Sequence, residues 1–260
     1  MALVKKKIEG LWMFLDPKDG GISRTLVTKG KREEAFMYLL RTEAHGVGLD
    51  CGANIGYCTL SLAKNCDRVI AYEPDKRSYK LLEMSVEGIS NVTISRSALS
   101  DHVGFIGFKN DKRPNLSRPS PKGGKLVDCV TIDSLNEQFN FIKADVEGGE
   151  VALLNGARNT LANAEDVKIL LEVHPQYYNA SNNFRAVLEW LVEIDYKFKY
   201  VISAKGKDRV VEEEYAPHIT FPKYERKIYK DVAPEHAIPW ACIMPADKKK
   251  VLRAIMLERK

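Results

Sequence analysis

The sequence predicts an α/β fold in which a mainly parallel sheet, antiparallel at one edge, carries helices on both faces. Short apolar runs alternate along the chain with segments whose apolar residues recur at helical spacing. Two of these runs end in an acid and break at a glycine before a helical pattern begins, Asp50 before Gly52 and Asp145 before Gly148. Such strand, loop and helix units build parallel sheets.

The length and composition favour one globular domain. A chain of 260 residues can form one well-packed α/β domain but is too short for two with a linker. We expect an N-terminal segment and helix over 1–45, a core over 46–246 and a basic tail over 247–260. No apolar run approaches the roughly 20 residues of a membrane helix, and the start lacks the apolar stretch of a secretory signal. We therefore expect no membrane partner.

The cysteines argue against a zinc site and a disulfide framework. There are five, an odd number without a C-x-x-C pair: Cys51, Cys58, Cys66, Cys129 and Cys242. Reduced thiols fit a cytoplasmic protein. The net charge of +5 is modest and is compatible with ordinary solvated surface.

Periodicity and capping residues place the elements of the first half. Ala35, Phe36, Leu39 and Leu40 share one helical face. The expected elements are a helix over 32–42, a strand ending at Asp50, a helix from Gly56, a strand over 69–72, a helix capped by Asp75 and ended by Gly88, and a strand over 92–95.

In the second half, strand-like runs flank an unusual insert. Residues 109–125, which we call the basic insert, contain six basic residues and one acid and are rich in proline. The expected elements are strands over 103–108, 126–131, 141–144, 167–173, 198–202 and 240–244, and helices over 151–157 and 184–194. In the tail, Val251, Ile255 and Met256 share a helical face that we expect to dock on the domain.

The segment from Asp50 to Gly56 predicts a nucleotide site. Gly52 and Gly56 would let the backbone approach a ligand closely. Glu73 follows the next strand, where a carboxylate accepts hydrogen bonds from ribose hydroxyls. An ordinary α/β turn remains the alternative.

The glycine pattern favours a cationic nucleotide. A pyrophosphate loop requires G-x-G-x-x-G, whereas only G-x-x-x-G is present here. Asp50 would repel a diphosphate but would suit the sulfonium and ammonium groups of S-adenosylmethionine. The pattern therefore indicates a methyl-donor site.

A second acidic run, Asp145, Glu147 and Glu150, follows the strand-like residues 141–144. With it, the chain resembles the FkbM family of S-adenosylmethionine-dependent O-methyltransferases. The matching runs are residues 49–56, 73–74, 98–101, 130–135, 142–150 and 154–157. The resemblance covers roughly residues 16–246 and implies a Rossmann-like class I methyltransferase with a seven-stranded sheet. It is weakest in the basic insert and over 205–239, where we expect substrate specificity to lie.

The loop positions and the resemblance together suggest the cofactor contacts. The residues expected at the methionine end are Asp50, Gly52, Ala53, Asn54 and Gly56, with Asp145 nearby. Glu73 and Pro74 are expected at the ribose, and Ser97, Ala98 and Leu99 at the adenine. Each of these is also a plausible plain loop residue, Ser97 more so than Glu73.

Four residues at predicted strand ends are candidate catalytic groups: Asp145, Glu147, Glu172 and His174. A hydroxyl acceptor loses a proton, so a general base assists the transfer. We place Asp145 first, because it ends the strand of the family motif, and His174 second, because an imidazole titrates near neutrality. Glu147 and Glu150 can instead stabilise a helix N-terminus. The four could also bind a magnesium-like ion, but nothing in their spacing requires one, so we expect no metal.

The basic insert suggests two kinds of acceptor. Its cations fit an anionic small molecule or glycan, or an RNA backbone, and a solvated loop is the plain alternative. The leading hypothesis is an O-methyltransferase for a hydroxyl of a sugar, glycolipid or small metabolite. An RNA methyltransferase is second, and a cofactor-binding protein without catalysis is third. The oligomeric state is not predicted.

Overall fold

The computed structural model describes residues 3–120, 123–204, 209–224, 226–244 and 253–259. An N-terminal hairpin and two helices precede the first three strands of the main sheet. These elements are β1 (Val4–Ile8), β2 (Leu11–Leu15), α1 (Ile22–Lys29), α2 (Glu34–Glu43), β3 (Val47–Cys51), α3 (Tyr57–Asn65), β4 (Arg68–Tyr72), α4 (Lys76–Val86) and β5 (Val92–Ser95). The expected cap is present, because Asp75 accepts hydrogen bonds from the N–H groups of Arg77 and Ser78.

A small four-stranded sheet carries the basic insert. Its strands are β6 (Ala98–Leu99), β7 (Gly104–Lys109), β8 (Arg118–Pro119) and β9 (Lys125–Val130), in the order β6-β9-β7-β8. β7 and β9 are the strands expected on the two sides of the insert. Lys122 lies outside the described residues.

The C-terminal half completes the main sheet. Its elements are β10 (Phe141–Ala144), α5 (Glu150–Asn155), α6 (Arg158–Asn163), β11 (Val167–Glu172), α7 (Phe184–Glu193), β12 (Lys197–Ala204), α8 (Arg209–Glu214), β13 (Ile219–Phe221), β14 (Arg226–Lys230), α9 (Pro234–Cys242) and β15 (Ala254–Arg259).

The main sheet has nine strands in the order β13-β14-β12-β15-β11-β10-β3-β4-β5. The strands from β11 to β5 are parallel, whereas β15, β12, β14 and β13 pair with antiparallel neighbours. The Rossmann-like α/β fold is thus confirmed, and the β13–β14 hairpin adds two strands to the expected seven. The described part of segment 205–239 lies at this antiparallel side.

Two sequence predictions near the C-terminus are wrong. The tail was expected to be helical, but Ala254 to Leu257 are fully buried in β15 between β11 and β12. A strand covered on both faces is apolar without alternation, so its pattern can mimic a helical face. Residues 247–252, including Val251, lie outside the described residues. Where a strand was expected over 240–244, residues 240–242 instead end α9, which starts at Pro234 and buries Ala237, Ile238 and Trp240.

Within the residues that the structure describes, no helix combines the length and apolar character needed to cross a bilayer.

Candidate functional site

The carboxyl ends of β3, β4 and β10 meet at one edge of the main sheet and form a cleft, which we call the first cleft. It encloses about 580 Å³ of empty volume, including its open mouth. It is lined by Gly52, Asn54, Tyr72, Glu73, Pro74, Ser97, Ala98, Leu99, Phe108, Ser117, Pro119, Asp145, Val146, Glu147 and Gly149. Ligands of open α/β sheets bind at this edge.

Glu73 follows β4 directly and is buried. One oxygen of Glu73 accepts a hydrogen bond from the Asn54 N–H at 2.8 Å, and the other accepts one from the Asp75 N–H at 2.7 Å. Burial raises the pKa of Glu73 to about 7, against the lowering effect of these two backbone donors. The carboxyl group therefore ties the loop after β3 to the end of β4.

The two motif glycines serve the packing of the loop. A Cβ on Gly52 would lie 2.1 Å from the carbonyl oxygen of Asp145, and its φ is +77°. Gly56 has a φ of +92° and precedes α3, with Leu82 of α4 3.0 Å from the position of a Cβ. Both glycines are therefore required by neighbouring protein atoms. Gly52 also lines the first cleft.

Asp50 differs from its expected place. It is fully buried, forms an ion pair with Lys143 at 2.9 Å and accepts a hydrogen bond from the Thr59 hydroxyl at 2.7 Å. The Lys143 ammonium also donates to the Gly52 carbonyl at 2.9 Å. Asp50, Ala53 and Gly56 are not among the described residues that line the first cleft. The negative charge of Asp50 is neutralised inside the protein, since a buried charge requires a partner.

The first cleft has an apolar wall that the sequence analysis missed. Tyr72 and Phe108 line the cleft together with Ser97, Ala98 and Leu99. Phe108 comes from β7, so the small sheet covers part of the cleft. The only sequence signal for this wall was the apolar run of residues 103–108 next to the basic insert.

The structure brings together all four candidate catalytic residues and Glu150, although only Asp145 and Glu147 line the first cleft. We call Asp145, Glu147, Glu150, Glu172 and His174 the acid–histidine cluster. Glu150 is fully buried, and one of its oxygens lies 2.7 Å from His174 Nδ1. The Tyr178 hydroxyl donates to the other oxygen at 3.2 Å. Glu150 thus orients the His174 ring, besides starting α5.

The second ring nitrogen of His174 faces the remaining carboxylates. Nε2 lies 3.7 Å from Asp145, 3.7 Å from Glu172 and 3.9 Å from Glu147. Burial opposes charge on the ring, but Glu150, Glu172 and Asp145 together outweigh it and hold the pKa of His174 well above its ordinary value. Burial, followed by the nearby charge of Asp145, raises the pKa of Glu172 well above its ordinary value.

A second cleft adjoins the first. It is lined by Asp101, Arg118, Pro119, Ser120, Glu147, Gly148, Gly149, Val151, Ala152, Asn155, Tyr177, Asn179, Ser181 and Asn182. The Arg118 guanidinium lies 5.3 Å from the centre of the Tyr177 ring. Pro119, Glu147 and Gly149 line both clefts, so the two meet beside the acid–histidine cluster.

The basic insert is anchored to the start of α4. Arg77 donates a hydrogen bond to the Asp111 carbonyl at 2.7 Å, and the Ser117 hydroxyl donates to Asp75 at 3.0 Å. Arg118 lines the second cleft, whereas Lys112 lines a separate surface groove. None of the described residues of segment 205–239 lines either cleft.

Comparison with known proteins identifies related chains. Residues 50–199 match the model of the methyltransferase FkbM domain. The hexuronic acid methyltransferase AglP of Haloferax volcanii is 29% identical over 179 residues, which cover 65% of this chain and 68% of AglP.

Solved structures also resemble the fold at low identity. The precorrin 8W decarboxylase structure from Methanobacterium thermoautotrophicum is 14% identical with a TM-score of 0.45, and the match covers 95% of this chain and 97% of that one. The structure of M. jannaschii TYW2 in complex with AdoMet is 14% identical with a TM-score of 0.44, covering 99% of this chain and 87% of that one.

Proposed function

We propose, from the premise that this chain belongs to the FkbM methyltransferase family, that it methylates a hydroxyl of an anionic sugar or a similar small acceptor. The chain is an S-adenosylmethionine-dependent methyltransferase. The proposed acceptor rests on one observation: the two clefts meet at Glu147 and Gly149. A methyl donor in the first cleft would direct its methyl group toward an acceptor in the second.

The first cleft supports a binding mode for the cofactor. Glu73 would accept hydrogen bonds from the ribose hydroxyls, and Pro74 would flank the ribose. Ser97, Ala98 and Leu99 would contact the adenine, and Gly52, Asn54 and Asp145 the methionine end. Asp50 would act indirectly, through its ion pair with Lys143 and the loop that this pair supports.

The second cleft supports an anionic, sugar-like acceptor. Arg118 offers a planar donor group that suits a carboxylate, and the Tyr177 ring beneath it supports the guanidinium. The Asn179 and Asn182 side chains hydrogen-bond the backbone of Tyr177 and Gly148 and so hold this wall of the cleft in place. The name of AglP states that it methylates hexuronic acid, which agrees with an acceptor of this class.

Asp145 is the proposed general base. It lines the first cleft close to the shared boundary. The acceptor oxygen would attack the methyl carbon in line with the breaking carbon–sulfur bond, and the hydroxyl proton would pass to Asp145. His174 is the second candidate, but it is buried behind Asp145 and held by Glu150.

Methyl incorporation from labelled S-adenosylmethionine tests the proposal. The acceptors offered are oligosaccharides with a hexuronic acid, neutral oligosaccharides, small hydroxylated metabolites and RNA. We expect incorporation into the acidic sugars. Asp145→Asn should lower turnover by about 100-fold or more and weaken cofactor binding much less, because the amide oxygen can still accept a hydrogen bond from the methionine end. Asp166→Asn, at an exposed acid far from both clefts, should change neither.

Incorporation into RNA alone would contradict a small acceptor and support an RNA methyltransferase, which the basic insert also allows. Cofactor binding without transfer to any acceptor would favour a binding protein.

We further propose a cytoplasmic location, because the five cysteines are free thiols and three of them are buried.

A further inference from the structure

The acid–histidine cluster has the donor atoms of a metal site. A carboxylate oxygen of Asp145, one of Glu147 and a ring nitrogen of His174 all lie within 4.8 Å of one another. We propose that these three side chains bind a divalent metal ion, with Glu172 as a further ligand within reach. The inference depends on these residues alone and not on the identity of the acceptor.

The orientation of His174 is the first argument. Its side chain is 93% buried, and Glu150 holds Nδ1 at 2.7 Å, which directs Nε2 toward the three other carboxylates. Metal-binding histidines are commonly oriented by a carboxylate at the opposite nitrogen in this way.

The distances at Nε2 are the second argument. The nearest carboxylate oxygens lie at 3.7, 3.7 and 3.9 Å, too far for a hydrogen bond to any of them. Ligands that share an ion at about 2.0–2.2 Å lie roughly 3.0–3.6 Å apart, so small movements would bring these atoms into coordination. The nitrogen thus faces a position between the oxygens.

The charge balance is the third argument. Four carboxylates, those of Asp145, Glu147, Glu150 and Glu172, surround one imidazole in a mostly buried site. Arg32 interacts with Glu172 and Asp145 but is also paired with Glu33, so it offsets only part of this negative charge. Concentrated negative charge in a partly buried site is costly, and a divalent cation offsets it.

The donor set selects the kind of ion. Mixed carboxylate and imidazole ligands without a thiolate suit Mn²⁺ or a similar first-row ion. Such an ion would lie beside the boundary of the two clefts, where it could hold an acceptor oxygen. A carboxylate has two oxygens, so Asp145 could ligate through one and accept the acceptor's proton through the other.

Titration of the metal-free protein with Mn²⁺, followed by the electron paramagnetic resonance signal of the free ion, tests the proposal. We expect one ion per chain. Glu147→Gln and His174→Asn should each weaken binding by about tenfold or more. In His174→Asn, the asparagine can still hydrogen-bond Glu150 but does not reach the position of Nε2. Glu147 is less buried than His174, so Glu147→Gln still tests the proposal if His174→Asn fails to fold.

His45→Asn and Glu83→Gln, both outside the cluster, are the matched controls and should bind as the wild type does. Absence of Mn²⁺ binding by the wild type, or equal binding by all four variants, would overturn the proposal. Binding is measured without cofactor or acceptor. A failed metal titration is therefore distinct from failed methyl transfer, which is read from incorporation assays.

Discussion

Glu73 and Asp50 are acids at the ends of neighbouring parallel strands, yet only Glu73 lines the first cleft. Asp50 is paired with Lys143, which comes from a strand more than ninety residues later in the sequence. The strand-end positions of both acids were predictable from local pattern. Their different partners were not, because the pairing is non-local. A lysine between Ile142 and Ala144 in a buried strand was the one local signal.

Glu73 gives a pH prediction at the residue scale. Its pKa is raised to about 7, so the free protein loses the ionised acceptor as the pH falls through 7. A ribose hydroxyl donates more strongly to a carboxylate than to the protonated acid. Affinity for S-adenosylmethionine should therefore fall by up to about tenfold per pH unit below pH 7 and level off above it.

Calorimetry from pH 5.5 to 8.5 measures this dependence. Glu73→Gln should weaken binding at pH 8 by about tenfold or more and flatten the profile. Glu83→Gln, at an exposed position on α4, should reproduce the wild-type curve. A steep profile that persists in Glu73→Gln would assign the titration to another group.

At the scale of elements, β15 shows where periodicity fails. Ile255 and Met256 fit a helical face as well as a strand, and only the gap between β11 and β12 decides between them. The β1–β2 hairpin and α1 were not predicted. The strands and helices over 32–95 were predictable, because their apolar residues recur at strand or helix spacing and Asp75 caps α4. The β13–β14 hairpin and β15 were not, because tertiary pairing determines them.

The position of β15 predicts a large stability effect. Leu257 is fully buried and pairs with Ile169 and Phe198 on the two neighbouring strands. Leu257→Ala should lower the free energy of unfolding by about 2–5 kcal/mol, since it removes packed methyl groups and leaves a cavity. Leu126→Ala, at a side chain that is 66% exposed, should change it by less than about 0.5 kcal/mol. Urea denaturation of both variants measures the difference; equal effects would contradict the central placement of β15.

At the scale of the whole molecule, the acceptor region combines parts that are distant in sequence. Arg118 comes from the basic insert and Tyr177 from the turn after β11, and they meet across the second cleft. The sequence predicted that the insert would contribute to acceptor specificity. It did not show which cations of the insert line the acceptor cleft and which lie elsewhere. Their separation follows from the anchoring of the insert at Asp75 and Arg77.

This separation distinguishes a small anionic acceptor from RNA. For a small acceptor, Arg118→Ala should raise the Michaelis constant of the acidic sugar by about tenfold and leave cofactor affinity intact, because the variant cannot form the charge-assisted hydrogen bond to the carboxylate. Lys112→Ala, in the separate groove, should leave both values unchanged.

For RNA, both substitutions should weaken binding, and each should reduce the log–log salt slope by about one for every phosphate that the variant no longer neutralises. Steady-state kinetics and RNA titrations at several salt concentrations decide between these outcomes. Equal effects of the two substitutions would overturn the assignment of the second cleft to a small acceptor, because only an extended polyanion can span both surfaces.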